Sequence, residues 1–102
     1  MIHYLLLYDL VPDYVTRRVP LRRAHLEHAQ RAVDAGTLVL GGALANPADQ
    51  AVLMFCCASP AVAEAFAKAD PYVLNGLVSS WRVREWTTVV GRDAASPVVP
   101  AQ

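Results

Sequence analysis

The segment IHYLLLYDL, residues 2–10, is a strongly apolar run rich in leucine and tyrosine. A Val-Pro-Asp turn signal at residues 11–13 ends it, which is typical of a β-strand. Successive strand residues point to opposite faces, and here both faces are apolar. One face carries Ile2, Tyr4, Leu6, Tyr8 and Leu10, and the other carries Leu5 and Leu7. We therefore expect a second sheet to cover the face that carries no helices, and the simplest source is an identical subunit on a two-fold axis. The sequence predicts a homodimer.

A helix and a hairpin are predicted next along the chain. From about Arg17 to Ala35, apolar residues recur at helical spacing, with Gly36 placed to end the helix and Pro20 near its first turn. Two further apolar runs follow, residues 37–44 and 51–58. Turn formers separate these runs, so they predict a hairpin.

The last two elements are a short helix and a long strand. Ser59 and Pro60 are typical of a helix start, and they predict a helix over residues 60–68 that ends at the Asp70-Pro71 step. Residues 77–90 alternate as a strand does. The resulting βαββαβ order predicts an α+β, ferredoxin-like protomer with both helices on one face of an antiparallel sheet. We expect a single domain over residues 1–90 and a disordered tail over residues 91–102.

Length and charge exclude several classes of protein. The 102 residues suffice for one compact domain, and 55% of them are hydrophobic. Nine basic and nine acidic side chains balance, so the surplus of cations that nucleic-acid binding requires is absent. No apolar run reaches ~18 residues and no signal peptide is visible, so we expect a soluble, cytoplasmic protein that does not bind membranes. The adjacent Cys56 and Cys57 indicate core thiols in a reducing compartment.

The predicted first helix carries a histidine on its apolar side. On a helical wheel, His25 lies in an arc of apolar residues that should meet the sheet, together with Arg18 and Arg22. That arc contains Leu21, Leu26, Ala29, Ala32 and Val33. His25 is therefore either a core histidine with one satisfied hydrogen bond or a functional group that needs a partner. His28 lies at the border of the arc, and His3 lies on the first strand.

A carboxylate beside His25 would set its tautomer and increase its basicity. The candidates are Asp9, Asp34 and Asp70. Asp34 lies ~180° around the helix and ~13 Å along it, so it cannot reach His25. Asp70 is the preferred partner, because it begins an Asp-Pro-Tyr step close to the sheet; its alternative role is to cap the turn alone.

Neither a metal site nor a cofactor site is predicted. His25 and His28 do not have the H-E-x-x-H arrangement, and the two cysteines lack C-x-x-C spacing. The pair Gly41-Gly42 is not followed by the helix that a nucleotide-binding loop requires. Tyr14, Arg17 and Arg18 are interpreted as a solvated loop that could form the rim of a pocket.

Taken in order and spacing, several motifs resemble those of the YciI-like (YCII-related) family. They are Arg22-Arg23-Ala24-His25-Leu26, where the family has Arg-Pro-Ala-His-Leu, then Asp34-Ala35-Gly36, and Asp70-Pro71-Tyr72-Val73 followed by Gly76. Arg23 in place of proline, and Gly41-Gly42-Ala43 in place of Ala-Gly-Pro, depart from the family pattern. The resemblance implies a dimeric α/β barrel and a pocket that holds a His-Asp pair without metal or organic cofactor. It also implies elimination or isomerisation, since the family includes a dehydrochlorinase.

These residues suggest a mechanism. His25 would act as general base or acid, and Asp70 would orient it. Arg22 would hold a carboxylate or phenolate oxygen of a small planar, anionic metabolite, and Tyr72 would line the pocket or donate a hydrogen bond. Gly42, with Gly41, would let a ligand approach the strand, or the two would form a β-bulge. The sequence predicts a lyase or isomerase; the alternative is a non-catalytic dimeric module for metabolite binding or assembly.

Overall fold

The computed structural model describes residues 1–100 of the chain. Four strands and four short or medium helices follow one another, with a 3₁₀ turn at Val19–Leu21. The elements are β1 (Ile2–Leu10), α1 (Tyr14–Arg17), α2 (Arg22–Asp34), β2 (Leu38–Ala43), β3 (Gln50–Cys57), α3 (Ala61–Ala69), α4 (Pro71–Leu74) and β4 (Val78–Trp86). None of the helices in residues 1–100 has the length and apolar character needed to cross a membrane.

The strands form one antiparallel sheet in the order β2-β3-β1-β4. β1 lies between β3 and β4, and its even-numbered residues face the helices. Tyr4, Leu6 and Tyr8 are buried there together with Leu53 and Phe55 of β3. These observations confirm the predicted α+β class.

The first helix starts later than predicted. Residues 14–17 form the separate helix α1, and the continuous helix α2 begins only at Arg22, not at Arg17. Pro20 explains the interruption, because it donates no backbone hydrogen bond and disfavours α-helical geometry at the preceding residue, Val19. The chain takes a 3₁₀ turn at this point instead. The sequence pattern placed Pro20 in the first turn of one long helix. The structure shows that this prediction is wrong, because Pro20 separates two helices.

The Asp70-Pro71 step forms a second short helix. Asp70 has extended backbone geometry, and Pro71 occupies the first position of α4. The Asp70 side chain accepts a hydrogen bond from the Tyr72 amide at 3.0 Å, as a helix N-cap does. The sequence indicated a capped turn here, and the structure shows one full helical turn.

β4 ends at Trp86 rather than at Val90. Beyond it, Thr88 leaves the ladder: its hydroxyl lies 2.7 Å from His3 Nδ1 and accepts the Ala95 amide at 2.8 Å. The chain then turns, and the Ser96 amide donates to the Thr88 carbonyl at 3.0 Å. Part of the predicted disordered tail, residues 101 and 102, lies outside the described residues. The domain boundary at residue 90 and the disorder of the tail stay predictions.

The opposite face of the sheet carries no helix. Its centre is apolar, since β1 contributes Leu5 and Leu7 and β3 contributes Val52 and Met54, all partly exposed. Arg82 and Arg84 of β4 lie beside this patch in the sheet register. We call this surface the helix-free face.

α2 stands partly away from the sheet. None of its residues is fully buried, and only Ala29 and Ala32 pack against the core from half-buried positions. Leu26 is 50% exposed and Val33 is 45% exposed. The prediction that the whole apolar arc meets the sheet is therefore wrong for these two residues. A cleft opens between α2 and β2 instead.

Candidate active site

His25 lines this cleft and contacts Asp70, which lies 45 residues away in sequence and is buried behind it. Nδ1 of His25 lies 2.8 Å from Oδ1 of Asp70. The Asp70 side chain is 0% exposed and that of His25 is 16% exposed. Of the other two carboxylates that the sequence offered, Asp34 accepts from Gln30 on the outside of α2, and Asp9 points to the helix-free face. The structure thus brings the preferred candidate to His25.

Asp70 is surrounded by donors. Its Oδ1 also accepts the Tyr72 amide at 3.0 Å, and its Oδ2 accepts the Tyr8 hydroxyl at 2.7 Å. Burial raises the pKa of Asp70, but the hydrogen bonds from His25 and Tyr8 and the attraction of His25 outweigh it, so the pKa lies below its usual value. Burial and the Asp70 charge raise the pKa of Tyr8, which keeps its hydroxyl a donor. Asp70 is therefore an ionised carboxylate in a dry environment.

Tyr8 was not singled out from the sequence. Strand alternation placed it on the same face as Leu6, where it counted as core. A buried tyrosine hydroxyl normally has a hydrogen-bond partner, and that rule was the available signal. It predicts that Tyr8 needs an acceptor without indicating which one, because Asp70 lies 62 residues away.

The tautomer of His25 follows from its partner. An ionised carboxylate only accepts hydrogen bonds, so Nδ1 of His25 carries a proton. In the neutral imidazole the lone pair then lies on Nε2. Nε2 has no hydrogen-bond partner within residues 1–100 and keeps accessible surface. The imidazole stacks on the Tyr72 ring, with 3.8 Å between centroids and 7° between planes, which fixes its orientation. His25 can therefore accept a proton at Nε2 from a molecule in the cleft.

The cleft has a volume of about 540 Å³. One wall is formed by α2 and the other by β2 with the adjoining part of β3, and Tyr8 and Tyr72 also line it. This is the size of an ordinary small-molecule pocket.

Two arginines stand at the His25 end of the cleft. Arg22 lines it as predicted, and so does Arg18, which the sequence assigned to a solvated loop or to a pocket rim. The Arg18 guanidinium lies 5.3 Å from the centroid of the Tyr14 ring, and Tyr14 packs edge-on against Tyr72. Within residues 1–100, neither arginine has a carboxylate partner. Both cations are therefore available to an anionic ligand.

Tyr72 lines the cleft, and its ring stacks on His25. The Tyr72 hydroxyl is buried and has no partner within the described residues. Burial, and to a smaller degree Tyr14, raise its pKa, while Arg22 and Arg18 act in the opposite direction. The Tyr72 ring packs face to face against the His25 imidazole.

Gly41 and Gly42 both line the cleft, but they point to opposite sides. Gly41 pairs with Leu53 on the helix side, where an added Cβ would lie 3.2 Å from the Leu53 side chain. Gly42 pairs with Val52 on the helix-free face, and a Cβ there would meet nothing within 4 Å. The irregularity in β2 lies between Leu38 and Leu40, so the alternative prediction of a β-bulge at the two glycines is wrong.

The other two histidines have structural partners. Nε2 of His28 donates to the Phe66 carbonyl at 2.9 Å, and its ring stacks on Phe66, which ties α2 to α3. His3 pairs with Thr88 at the far end of the sheet. Across residues 1–100, no three histidine, cysteine or acidic side chains are grouped so as to hold a metal ion.

A model of the YCII-related domain family matches residues 1–87. The chain belongs to this family. Among solved structures, the YCII-related chain is similar to 5-chloro-2-hydroxyhydroquinone dehydrochlorinase (TftG) from Burkholderia phenoliruptrix AC1100 in complex with 2,5-dihydroxybenzoquinone. The TM-score is 0.70 at 18% identity, and the match covers 84% of this chain and 94% of that chain. No curated protein sequence matches. The family resemblance is thereby confirmed, and the structural likeness supports the fold.

Proposed function

We propose that this YCII-related protein is a lyase or isomerase that transfers a proton through His25 and Asp70. One observation carries the proposal. His25 presents an unpaired Nε2 to a ligand-sized cleft, while a buried carboxylate holds its Nδ1. A histidine held in this way is a general base whose imidazolium form is stabilised by the carboxylate.

The proposed reaction begins with a proton on a carbon or hydroxyl next to a carbonyl. Nε2 of His25 takes that proton, and the electron pair of the broken bond moves toward the carbonyl oxygen. Arg22 binds the resulting negative oxygen. In an elimination, the electron pair returns and expels an anion such as chloride from the adjacent carbon, and His25 releases its proton to water. In an isomerisation, His25 returns the proton to another carbon.

The elimination branch is suggested by the dehydrochlorinase, whose fold this chain shares. Loss of hydrogen and chloride from neighbouring atoms is the type of reaction that a base next to an anion-binding cation can perform. At 18% identity the likeness shows the fold alone, so the compound named for that enzyme is a test compound for this protein.

The first test observes the histidine itself. In ¹⁵N NMR spectra, we expect the ring of His25 to show a protonated Nδ1, assigned by its loss in His25→Ala. The signal should change to the Nε2-protonated form in Asp70→Asn. His28→Ala is the matched control, because it removes a ring three residues away and leaves the Asp70 pair intact. A His25 signal that does not respond to Asp70→Asn would refute the pair.

The second test looks for the chemistry. Small aromatic and dienoic acids, and 5-chloro-2-hydroxyhydroquinone, are incubated with the protein in D₂O. We expect deuterium incorporation, or chloride release from the chlorinated compound, which His25→Ala reduces by ~100-fold or more and His28→Ala leaves within a few-fold. Binding of these compounds without exchange or release would instead favour the non-catalytic metabolite-binding module.

We further propose that two copies of the ferredoxin-like protomer associate through their helix-free faces into a dimeric α/β barrel. The partly exposed leucines, valine and methionine of this face form an apolar patch of the kind that marks an interface. In sedimentation experiments we expect a dimer that Leu7→Arg shifts to monomer. Val15→Arg, an exposed position on α1, should leave the dimer intact. A wild-type monomer at high concentration would overturn this proposal.

The free thiols fit a reducing compartment. Cys56 and Cys57 form no disulfide in the structure. We propose that the protein acts in the cytoplasm, since unpaired cysteines persist there.

A further inference from the structure

The cleft changes character along α2. Its first residues on this helix are Arg22 and His25, and Arg18 lies just before them. The next lining residues are Leu26, Ala29 and Val33. Val33 lies eight residues beyond His25, which is ~12 Å along a helix axis. One end of the cleft is therefore cationic, His25 stands next to it, and the rest is apolar.

The facing wall shows the same division. The chain passes from the end of α2 directly into β2, so Leu38 lies beside the Val33 end of the cleft. Leu53 lines the same stretch. The polar exception is Gln30, and its side-chain amide donates to Asp34 at 2.9 Å. Apart from Gln30, the described lining beyond His25 offers no polar side chain to a ligand.

The apolar end is too large to be explained by packing. Leu26 and Val33 of α2 remain about half exposed. A single planar ring held between Arg22 and His25 would leave both side chains in water. Exposed apolar side chains grouped along one groove are typical of a surface that a ligand covers.

We propose that the natural substrate is an amphipathic carboxylate with an aryl or alkyl tail. Its carboxylate binds between Arg18 and Arg22, the carbon that loses the proton lies at Nε2 of His25, and the tail runs along α2 to Val33. The position of the reacting carbon rests on the proposed function. The class of ligand rests on the cleft alone, because unpaired arginines select the anion and the leucines and valine select the tail.

Binding of unreactive carboxylates tests the proposal without any turnover. Butyrate, octanoate and octanol are titrated into the protein, with binding followed by calorimetry and by ¹H–¹⁵N NMR. A fully buried methylene increases affinity about fourfold. We expect octanoate to bind ~10-fold or more tightly than butyrate, and octanol to bind more weakly than octanoate. The shifted amide signals should include those of α2 and β2.

Variants separate the two ends of the cleft. Val33→Asn should lower the affinity for octanoate several-fold and leave that for butyrate unchanged. Arg18→Gln should lower both, and Arg31→Gln, an exposed position outside the cleft, should change neither. Circular dichroism confirms that each variant is folded.

Three results would overturn the proposal. Equal affinity for butyrate and octanoate means that the tail site does not exist and that another surface, such as a second copy, covers the apolar end. A preference for octanoate that survives Val33→Asn places the tail elsewhere, for example on the helix-free face. Equal affinity for octanol means that the arginines do not bind the anion. Repeating the titrations with His25→Ala distinguishes this inference from the proposed function, because that variant should bind octanoate and fail to catalyse exchange.

Discussion

Asp70 and Asp9 lie on opposite faces of the sheet, and each side chain accepts hydrogen bonds from three donors. Their roles nevertheless differ. Asp70 accepts from His25, Tyr8 and the Tyr72 amide. Asp9 accepts from Ser80 at 2.6 Å, Gln50 at 3.0 Å and Arg82 at 3.3 Å. Each carboxylate thus accepts three hydrogen bonds, yet Asp70 is buried behind His25 on the helix side of the sheet and Asp9 lies on the helix-free face.

The difference lies in the donors. Serine, glutamine and arginine keep their protons near neutral pH, so the Asp9 group can only hold strands together. Among the donors of Asp70 is an imidazole whose second nitrogen opens onto the cleft, so this group can exchange a proton with a ligand. The number of hydrogen bonds to a carboxylate is therefore a poor guide to function, and the identity and accessibility of the donor is a better one.

Asp70→Asn is expected to have the largest effect. It leaves the shape of the side chain but replaces a buried anion with an amide that cannot satisfy three donors. We expect the free energy of unfolding to fall by about 1–3 kcal/mol and any catalysed proton exchange to fall by ~100-fold or more. Urea denaturation and deuterium incorporation measure the two quantities. If Asp70→Asn lowered stability and proton exchange no more than Asp9→Asn does, the two carboxylates would not differ in function.

Tyr8→Phe is expected to have an intermediate effect and to depend on pH. Because the pKa of Asp70 is lowered in the folded protein, its contribution to stability is present above its ordinary pKa of ~4 and is lost as the pH falls through the folded value. Removing the Tyr8 hydroxyl raises the folded pKa toward the unfolded one. We expect the variant to be less stable by about 1 kcal/mol at pH 7 and the gap to the wild type to narrow below pH ~4.

Tyr4→Phe provides the control for this measurement. Tyr4 is buried on the same face of β1 but donates no hydrogen bond to Asp70. Its variant should keep the acid dependence of the wild type. A constant gap between Tyr8→Phe and the wild type at every pH would show that Tyr8 acts through packing alone.

Asp9→Asn is expected to have the smallest effect. The hydrogen bond from Ser80, then those from Gln50 and the Arg82 charge, lower the pKa of Asp9, so its contribution is also lost in acid. The group is more exposed than Asp70, so the change in unfolding midpoint should be smaller than that of Tyr8→Phe. The His25 Nδ1 signal should not move. A shift of that signal would mean that the two faces are coupled through β1.

Local patterns explain what the sequence could reveal. Alternation along β1, helical spacing around His25 and the Asp-Pro-Tyr step are short-range signals, and they located the main elements and the two site residues that meet. Pro20 also indicated an interruption of the first helix, but the spacing of apolar residues favoured one continuous helix. The distance between α2 and the sheet cannot be predicted from the local sequence. The same arc of apolar residues is compatible with packing on the sheet and with lining a cleft. The role of Tyr8 is hidden for a similar reason, since it depends on a contact across the whole fold.

Tyr8 and Asp9 are neighbours in β1 and serve opposite faces of the sheet. A slip of one residue in the pairing of β1 would bring Asp9 into the dry interior without its donors. It would also turn Tyr8 outward and leave Oδ2 of Asp70 without its donor. The misaligned strand would thus lose stabilising hydrogen bonds on both faces of the sheet. Since β1 pairs with both β3 and β4, correct alignment of this one strand also aligns its neighbours. We expect an insertion or deletion of a single residue within residues 3–8 to prevent folding far more often than any substitution there.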